Sequence, residues 1–341
     1  MERILFLTHT DSSGVLPKAT LEVLGAASEL ARDLGGAPLV VGLVGGELQA
    51  AADSIAGCGA ESFLAVSGDE FSVSRYATDA AAAEALVRKS EATLVIVPAT
   101  SRFSRTMPGL AQRVDGRIDT HVTALHAEAG APQVERWYYR QRMVARLSRE
   151  VRPWFVLIDS GVFPAIDGVA GSASLEKLAV EPPATRTQVV GEQAATAEAQ
   201  TIRPDAPLLF VAGAGWTKRQ ADGQTHLPEA EQLILDFLGK SQASLGSSKS
   251  LVDQSGEGEA VLSFMSHMNQ VGQTGSTPRH PKGLATCCHG EEPHVVGWRF
   301  IKERRAVNLD PGCGWAQGKA DVLYVADAFQ VMRKVNELLR S

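Results

Sequence analysis

Apolar and polar positions follow two alternating periods along the first half of the chain. Residues 4–8 form a short apolar run that ends in a polar loop of Asp11, Ser12, Ser13 and Gly14. Behind it Leu21, Leu24, Ala27, Leu30, Ala31 and Leu34 recur at helical spacing, and Gly35 and Gly36 supply the stop. Residues 38–44 are continuously apolar, the pattern of a strand buried on both faces. The same reading predicts helices over 48–55 and 77–89 and strands over 62–66 and 93–98. Repeated βα units of this length make a parallel sheet with helices on both sides. Past Gly109 the period shortens: 121–128, 134–139 and 143–147 read as antiparallel strands, and 153–158 as a return to the main sheet.

Residues 181–207 break the pattern with closely spaced prolines and little apolar periodicity beyond Val189 and Val190. A second α/β pattern follows, with strands over 208–212, 284–286, 306–308 and 321–325 and helices over 229–238 and 329–339. The expected architecture is therefore α/β in two unequal domains. An N-terminal parallel-sheet domain over 1–185 is joined by a linker over 186–206 to a doubly wound domain over 207–341 that carries the terminal helix.

Composition narrows the class of function. With 33 Lys and Arg against 39 Asp and Glu, the 341-residue chain carries a net charge of −6, and no long basic stretch favours nucleic acid or anionic membranes. Four cysteines are too few for a disulfide framework and suit a reducing cytoplasm. The first ten residues are too short an apolar run for a signal peptide, and no segment is long and apolar enough for membrane insertion.

Several segments hold residues suited to chemistry. Phe210-Val-Ala-Gly-Ala-Gly-Trp216 runs a strand into a glycine turn, where amides can approach a phosphate, although Lys218 and Arg219 stand where a dinucleotide fingerprint would continue. Met268-Asn-Gln-Val-Gly-Gln-Thr-Gly275 sets two glycines, an amide and a hydroxyl within four residues, a neutral donor set for a diphosphate or a ring carbonyl. A surface hairpin would account for Gly272 and Gly275 but not for Gln273 and Thr274. Cys287, Cys288, His289, His294 and Cys313 invite a metal, yet adjacent cysteines ligate one ion poorly and no CxxC pair accompanies them, so buried thiols are expected and no metal. Arg136-Trp-Tyr-Tyr-Arg-Gln-Arg142 interleaves cations with aromatics; in an acidic chain it reads as an alternating strand, not a nucleic-acid platform. There is no recognisable catalytic triad and no GxSxG elbow.

Taken in order, these segments resemble the alpha subunit of electron transfer flavoproteins over nearly the whole chain. Leu16-Pro-Lys-Ala-Thr-Leu-Glu22, Val97-Pro-Ala-Thr100 and Gly171-Ser-Ala-Ser-Leu-Glu176 match the N-terminal part of that family. Gln270-Val-Gly-Gln-Thr-Gly275, Val307-Asn-Leu-Asp-Pro311 and Ala320-Asp-Val-Leu-Tyr-Val-Ala-Asp327 match its C-terminal part, at family-like spacing.

The resemblance implies a heterodimer with a beta subunit, in which the second domain holds most of an FAD. Electrons would enter from flavin dehydrogenases and leave to a quinone oxidoreductase or comparable acceptor, so the chain would be an electron carrier and not an enzyme with its own substrate. On that resemblance Gln270, Gly272, Gln273, Thr274 and Gly275 form the cofactor loop, with Gln273 and Thr274 against the isoalloxazine ring or the phosphates. Ser248 and Lys249 stand where the family has a Ser-Arg pair near the diphosphate. Asn308, Asp310 and Asp321 fall in the segments that contact the cofactor, Asn308 and Asp321 on its adenosine half. His294 aligns with the histidine facing the pyrimidine carbonyl, where a donor favours charge on the reduced ring. The ring side also departs from the pattern. Gly215 occupies the place of an arginine over the flavin, His289 that of a serine, Pro293 that of an amide, and Leu309 that of a lysine, while Glu291 and Glu292 add negative charge. Those departures keep two other readings open: a non-redox subunit of the same fold holding AMP or no cofactor, and a nucleotide-dependent α/β enzyme.

Overall fold

A computed structural model describes residues 2–138, 143–167, 169–191, 202–203, 206–254, 261–271, 279–286, 301–311 and 320–339. The chain divides into two compact units, Met1–Glu192 and Gln193–Ser341.

The first unit is built on a nine-stranded sheet of β1 (Ile4–His9), β2 (Leu39–Gly45), β3 (Ser62–Ser67), β4 (Leu94–Pro98), β5 (Arg117–Glu128), β6 (Ala131–Tyr138), β7 (Met143–Leu147), β8 (Trp154–Ile158) and β9 (Leu175–Lys177). The strand order is β7-β6-β5-β8-β4-β1-β2-β3-β9. Every pairing from β5 through β9 is parallel, and only β5–β6 and β6–β7 are antiparallel. Successive residues of β1 explain its unbroken apolar run. Ile4 and Phe6 enter one core with Val23, Leu24 and Ala27 of helix α1 (Lys18–Asp33), whereas Leu5 and Leu7 enter the other. That second core takes Ala83 and Leu86 of α4 (Tyr76–Ser90) and Phe103, Met107 and Leu110 of α5 (Ser101–Arg113). Two short helices, α2 (Gln49–Asp53) and α3 (Asp69–Ser72), complete the connections. With helices on both faces, every central strand position must be apolar.

In this unit the one-turn α3, helix α5 and strand β9 exceed the sequence expectation. Helix α5 was not anticipated because its exposed side is dense in Ser, Arg and Gln and Pro108 lies inside it. Its apolar residues nevertheless fall on one stripe, and Thr100 caps it by accepting from the Phe103 amide at 3.2 Å. Strand β9 is three residues long, too short for a periodicity signal, and joins the sheet edge beside β3. The predicted antiparallel strand over 121–128 begins at Arg117 and is mixed, lying parallel to β8 and antiparallel to β6. Of the basic-aromatic run, residues 139–142 lie outside the described residues.

Asp119 organises this extension. Its carboxylate, 1 % exposed, accepts from Arg149 Nε and Nη2 at 2.9 Å each, from Trp154 Nε1 at 3.0 Å and from Arg136 Nη1 at 3.3 Å. One side chain thus ties β5 to β6, to β8 and to the segment between β7 and β8. Burial pushes the Asp119 carboxyl up, but the Arg149 and Trp154 hydrogen bonds and the two guanidinium charges outweigh it and hold the group below its ordinary value.

The second unit is a five-stranded, wholly parallel sheet of β10 (Leu208–Ala212), β11 (Ser244–Ser247), β12 (Lys282–Thr286), β13 (Glu303–Asn308) and β14 (Val322–Val325), in the order β11-β10-β12-β13-β14. Helix α6 (Leu227–Ser241) and the terminal helix α8 (Ala328–Leu338) pack on one face, where Phe210, Ile234, Phe237, Leu245, Phe329 and Met332 share a core. Helix α7 (Lys249–Asp253) follows β11. Leu209, Val211, Val271, Ala285, Ile301 and Ala306 form a smaller cluster on the other face. No described helix of either unit is long and apolar enough to cross a membrane.

Two tests of this account concern stability. Asp119→Ala leaves two guanidinium groups and an indole N–H without their common acceptor, and is expected to cost about 2–4 kcal/mol in urea denaturation. His9, at the end of β1, is the second. Burial, with the nearby Arg102 charge, pushes its imidazole down to about 4 despite the backbone hydrogen bond at Thr10. The unfolded ring binds a proton below about pH 6.5 while the folded ring does not. The neutral ring's contribution is therefore complete above that pH and is lost as pH falls toward 4, about 3 kcal/mol in all. The stability difference between wild type and His9→Gln should narrow over that interval, and a difference independent of pH would refute the buried neutral ring.

Candidate functional site

In an open parallel sheet, loops at the carboxyl ends part wherever the strand order reverses, and ligands bind in the crevice that results. In the second unit the reversal lies between β10 and β12, because β11 lies on one side of β10 and β12 on the other. One level of the sheet marks the rim: Ser247 is registered with Ala212, Ala212 with Thr286, and Thr286 with Val307. Gln270 extends this row by a parallel bridge to Ser247.

The turn after β10 is closely tied down. The Gly213 amide donates to the Thr286 carbonyl at 2.9 Å, and the Ser248 amide donates to the Ala212 carbonyl at 2.9 Å. A one-turn 3-10 helix, Ala214–Trp216, turns the Trp216 indole inward. It is fully buried, its ring centroid is 4.6 Å from that of Phe329, and Nε1 donates to Thr286 Oγ1 at 2.8 Å. Thr286 Oγ1 donates onward to the Val211 carbonyl at 3.3 Å. The indole therefore bridges the two strands that flank the reversal. Gly215 is buried beside it, and its carbonyl accepts from Gln220 Nε2 at 3.0 Å.

The residues singled out in the sequence divide into three groups. Gly215, Ser248, Lys249, Gln270, Asn308 and Asp310 all lie at the carboxyl ends of their strands. Ser248, 1 % exposed, caps α7 by accepting from the Leu251 amide at 3.2 Å. Lys249 follows it and pairs with Asp253 at 2.6 Å. The Lys249 and His267 hydrogen bonds hold the Asp253 carboxyl below its ordinary value. Asn308 ends β13, is 1 % exposed, and accepts from the Asp310 amide at 3.3 Å. Asp310 itself is exposed.

Asp321 is placed differently. It precedes β14, at the amino end of the sheet, where it accepts from the Arg304 amide at 2.7 Å and pairs with Arg304 Nη2 at 2.8 Å. Because β13 and β14 run parallel, Asp321 and Asn308 occupy opposite rims, and the structure does not bring Asp321 to the crevice. The motif Ala320–Asp327 spans a whole strand, and its first aspartate is on the far side from its last. The remaining candidates, Gly272, Gln273, Thr274, Gly275, His289 and His294, lie outside the described residues, as do Cys287, Cys288 and Cys313. Among the described residues no group of three or more His, Cys, Asp or Glu is arranged to hold a metal ion.

Two polar atoms at the rim have no partner. Ser247 Oγ and Gln270 Nε2 are buried without a hydrogen bond, on residues that are 0 % and 3 % exposed. Ser247 was not singled out from sequence. Its signal was faint: a small polar residue closing an otherwise apolar strand, just before a serine cap. Hydroxyls and amides at such a rim serve as neutral donors to phosphate or carbonyl oxygens, and their chemistry is binding, with no nucleophile–base pair beside them.

The first unit repeats the topological arrangement with different content. Its order reverses between β1 and β4. There His9 Nδ1 is 2.9 Å from the Thr10 carbonyl and Nε2 is 2.8 Å from Thr100 Oγ1, so both ring nitrogens are engaged within the protein. An added Cβ at Gly45 would sit 2.3 Å from Thr10 Oγ1, which keeps that rim closely packed.

Comparison with known proteins bears on both units. The alpha subunit of the electron transfer flavoprotein of Syntrophomonas wolfei is 25 % identical over 331 residues, covering 96 % of each chain. The alpha subunit from Bradyrhizobium diazoefficiens is 26 % identical over 239 residues, covering 70 % of this chain and 69 % of that one. The one from Pseudomonas aeruginosa is 24 % identical over 244 residues, covering 71 % and 72 %. The family described as the electron transfer flavoprotein domain matches residues 4–183, more than half of the chain and the whole of the nine-stranded sheet. The two-unit α/β architecture, the reversal crevice and this match lead to one assignment: the chain belongs to the electron transfer flavoprotein family.

Proposed function

We propose that the chain is the alpha-type subunit of a cytoplasmic electron carrier, holding FAD in its second unit and pairing with a beta subunit. Electrons would come from a partner flavin dehydrogenase and go to a quinone oxidoreductase or comparable acceptor. The observation that carries this reading is the pair of buried, unpartnered donors at the rim of the second unit, within segments that resemble the family's cofactor loops. A dinucleotide presents phosphate and carbonyl oxygens, and the residues at the rim fit such a group: Ser247 and Gln270 offer free donors, while Ser248 and Asn308 fix the surrounding turns. When bound, FAD would supply the redox chemistry through its ring.

The protein's own contribution would be to bind, orient and exclude water. The Trp216–Phe329 contact and the Trp216–Thr286 hydrogen bond close the floor beneath the crevice, so water does not enter the core from that side. On the resemblance alone, Gln273 and Thr274 are proposed to lie against the ring or the phosphates and His294 against the ring, and the link between domains is proposed to lie within 186–206. At Gly215 the side chain supplies no cation, and a close charge in a partly buried site is worth on the order of a few kcal/mol. The flavin potential is accordingly expected to lie below that of relatives with arginine at this place.

The test is co-expression with the beta-subunit homologue encoded nearest to this chain. The purified heterodimer should show flavin absorption bands and release FAD on denaturation, whereas the chain alone should be poor in flavin. A colourless heterodimer retaining AMP, or no nucleotide, would replace this reading with that of a non-redox subunit.

A further inference from the structure

We infer that Ser247 Oγ and Gln270 Nε2 act together as a two-donor notch for one acceptor oxygen of the ligand bound in the second unit, an inference that rests on the flavin reading above. The backbone around both residues is fully engaged. Ser247 pairs with Ala212, its carbonyl accepts from the Val271 amide at 3.0 Å, and the Gln270 amide donates to the His267 carbonyl at 3.2 Å. The side-chain donors Ser247 Oγ and Gln270 Nε2 have no hydrogen-bond partner. Residues registered across a parallel bridge present their side chains to the same face, which sets the hydroxyl and the amide side by side along the rim.

The segment carrying Gln270 is held in place from both sides. Ser266 and Asn269 form a reciprocal cap around His267–Asn269, and Asn269 Nδ2 donates to the Leu245 carbonyl at 3.4 Å. On the opposite face Val271 packs so closely on β11 that an added Cβ at Gly246 would lie 2.6 Å from its Cγ2. The backbone of Gln270 is thus anchored beside Ser247 by contacts within the protein. Buried donors without acceptors destabilise a fold, and apolar side chains of similar size would remove that cost. Their retention at a strand-end crevice is explained when an incoming oxygen completes them.

The shared chemistry is an acceptor oxygen, and it has two sources in FAD: the diphosphate and the ring carbonyls. The experiment uses the heterodimer with the beta-subunit homologue, freed of ligand, with FAD, ADP and riboflavin as separate probes, followed by calorimetric titration and thermal melting. Ser247→Ala and Gln270→Met are each expected to weaken FAD binding roughly 2- to 10-fold. The ligand-free variants should melt at or above the wild-type temperature. A loss shared by ADP assigns the oxygen to the diphosphate, and a loss seen with riboflavin assigns it to the ring. Wild-type affinity for FAD in both variants overturns the notch while leaving the flavin reading intact, and so does a fall in melting temperature without ligand, which would mark the pair as structural. A wild-type heterodimer that binds neither FAD nor ADP overturns the flavin reading itself, and the notch with it.

Discussion

Burial of parallel strands on both faces is the constraint from which the rest of this structure follows. A parallel strand cannot return through a short turn, so each crossover lays a helix or long segment across the sheet and removes the strand from water. Interior strand positions are then closed to polar chemistry, and functional groups collect at the rims. The effect is visible in β1 and β10: four successive apolar residues in β1 divide between two cores, and polar character returns only at Thr8 and His9, whereas β10 stays apolar until the Gly213 turn. The order reversal then selects one part of the rim in each unit. In the first unit His9 and Thr100 satisfy one another across it; in the second Trp216 and Thr286 do so, and donors are left over one strand away, at β11.

Much of the fold was legible in the sequence for the same reason. Strands buried on both faces leave unbroken apolar runs, and residues 38–44 and 93–98 stand within one residue of β2 and β4 at each end. Helix α5 was hidden because polar Arg102 and Thr106 are buried beside Phe103, Met107, Leu110 and Ala111, which blurs the apolar stripe. The site was legible in part. Ser248 and Asn308 are recognisable as polar residues ending strands, and both lie at the carboxyl rim. Asp321 illustrates the opposite case: a motif spanning a strand does not tell which of its ends faces the crevice until the strand direction is known. Ser247 escaped notice because its importance lies in a missing hydrogen bond, which no pattern of residue types encodes.

The turn after β10 shows how one local change propagates. With glycine at position 215 the chain can fold into a 3-10 turn that buries its own carbonyl against Gln220, and the next side chain is drawn inward. Trp216 then finds what a buried indole requires: an apolar neighbour in Phe329 and an acceptor for its N–H in Thr286. An arginine at 215 would have to keep its guanidinium in water or against an anion, and the buried position of this residue offers neither within the protein. The buried glycine and the buried tryptophan beside it are thus two aspects of one packing arrangement.

The treatment of other buried polar groups gives weight to the exception at the rim. Asp119 has four donor atoms around it, Asp79 receives Arg102 Nε at 2.9 Å while the same arginine also bonds the Phe71 carbonyl at 2.6 Å, and Thr217 Oγ1 reaches Gln254 at 2.7 Å. These groups are completed by partners from neighbouring elements, as folding demands of a buried polar atom. Ser247 and Gln270 are as deeply buried, and their backbones are anchored as firmly, yet the completion stops at their side chains. Elsewhere among the described residues Arg75 Nε, Arg136 Nε and Asn336 Oδ1 are also buried without a partner, but each belongs to a side chain that hydrogen-bonds through another of its polar atoms. Ser247 and Gln270 differ in forming a single bridged pair at the carboxyl rim, on β11 next to the strand that borders the reversal.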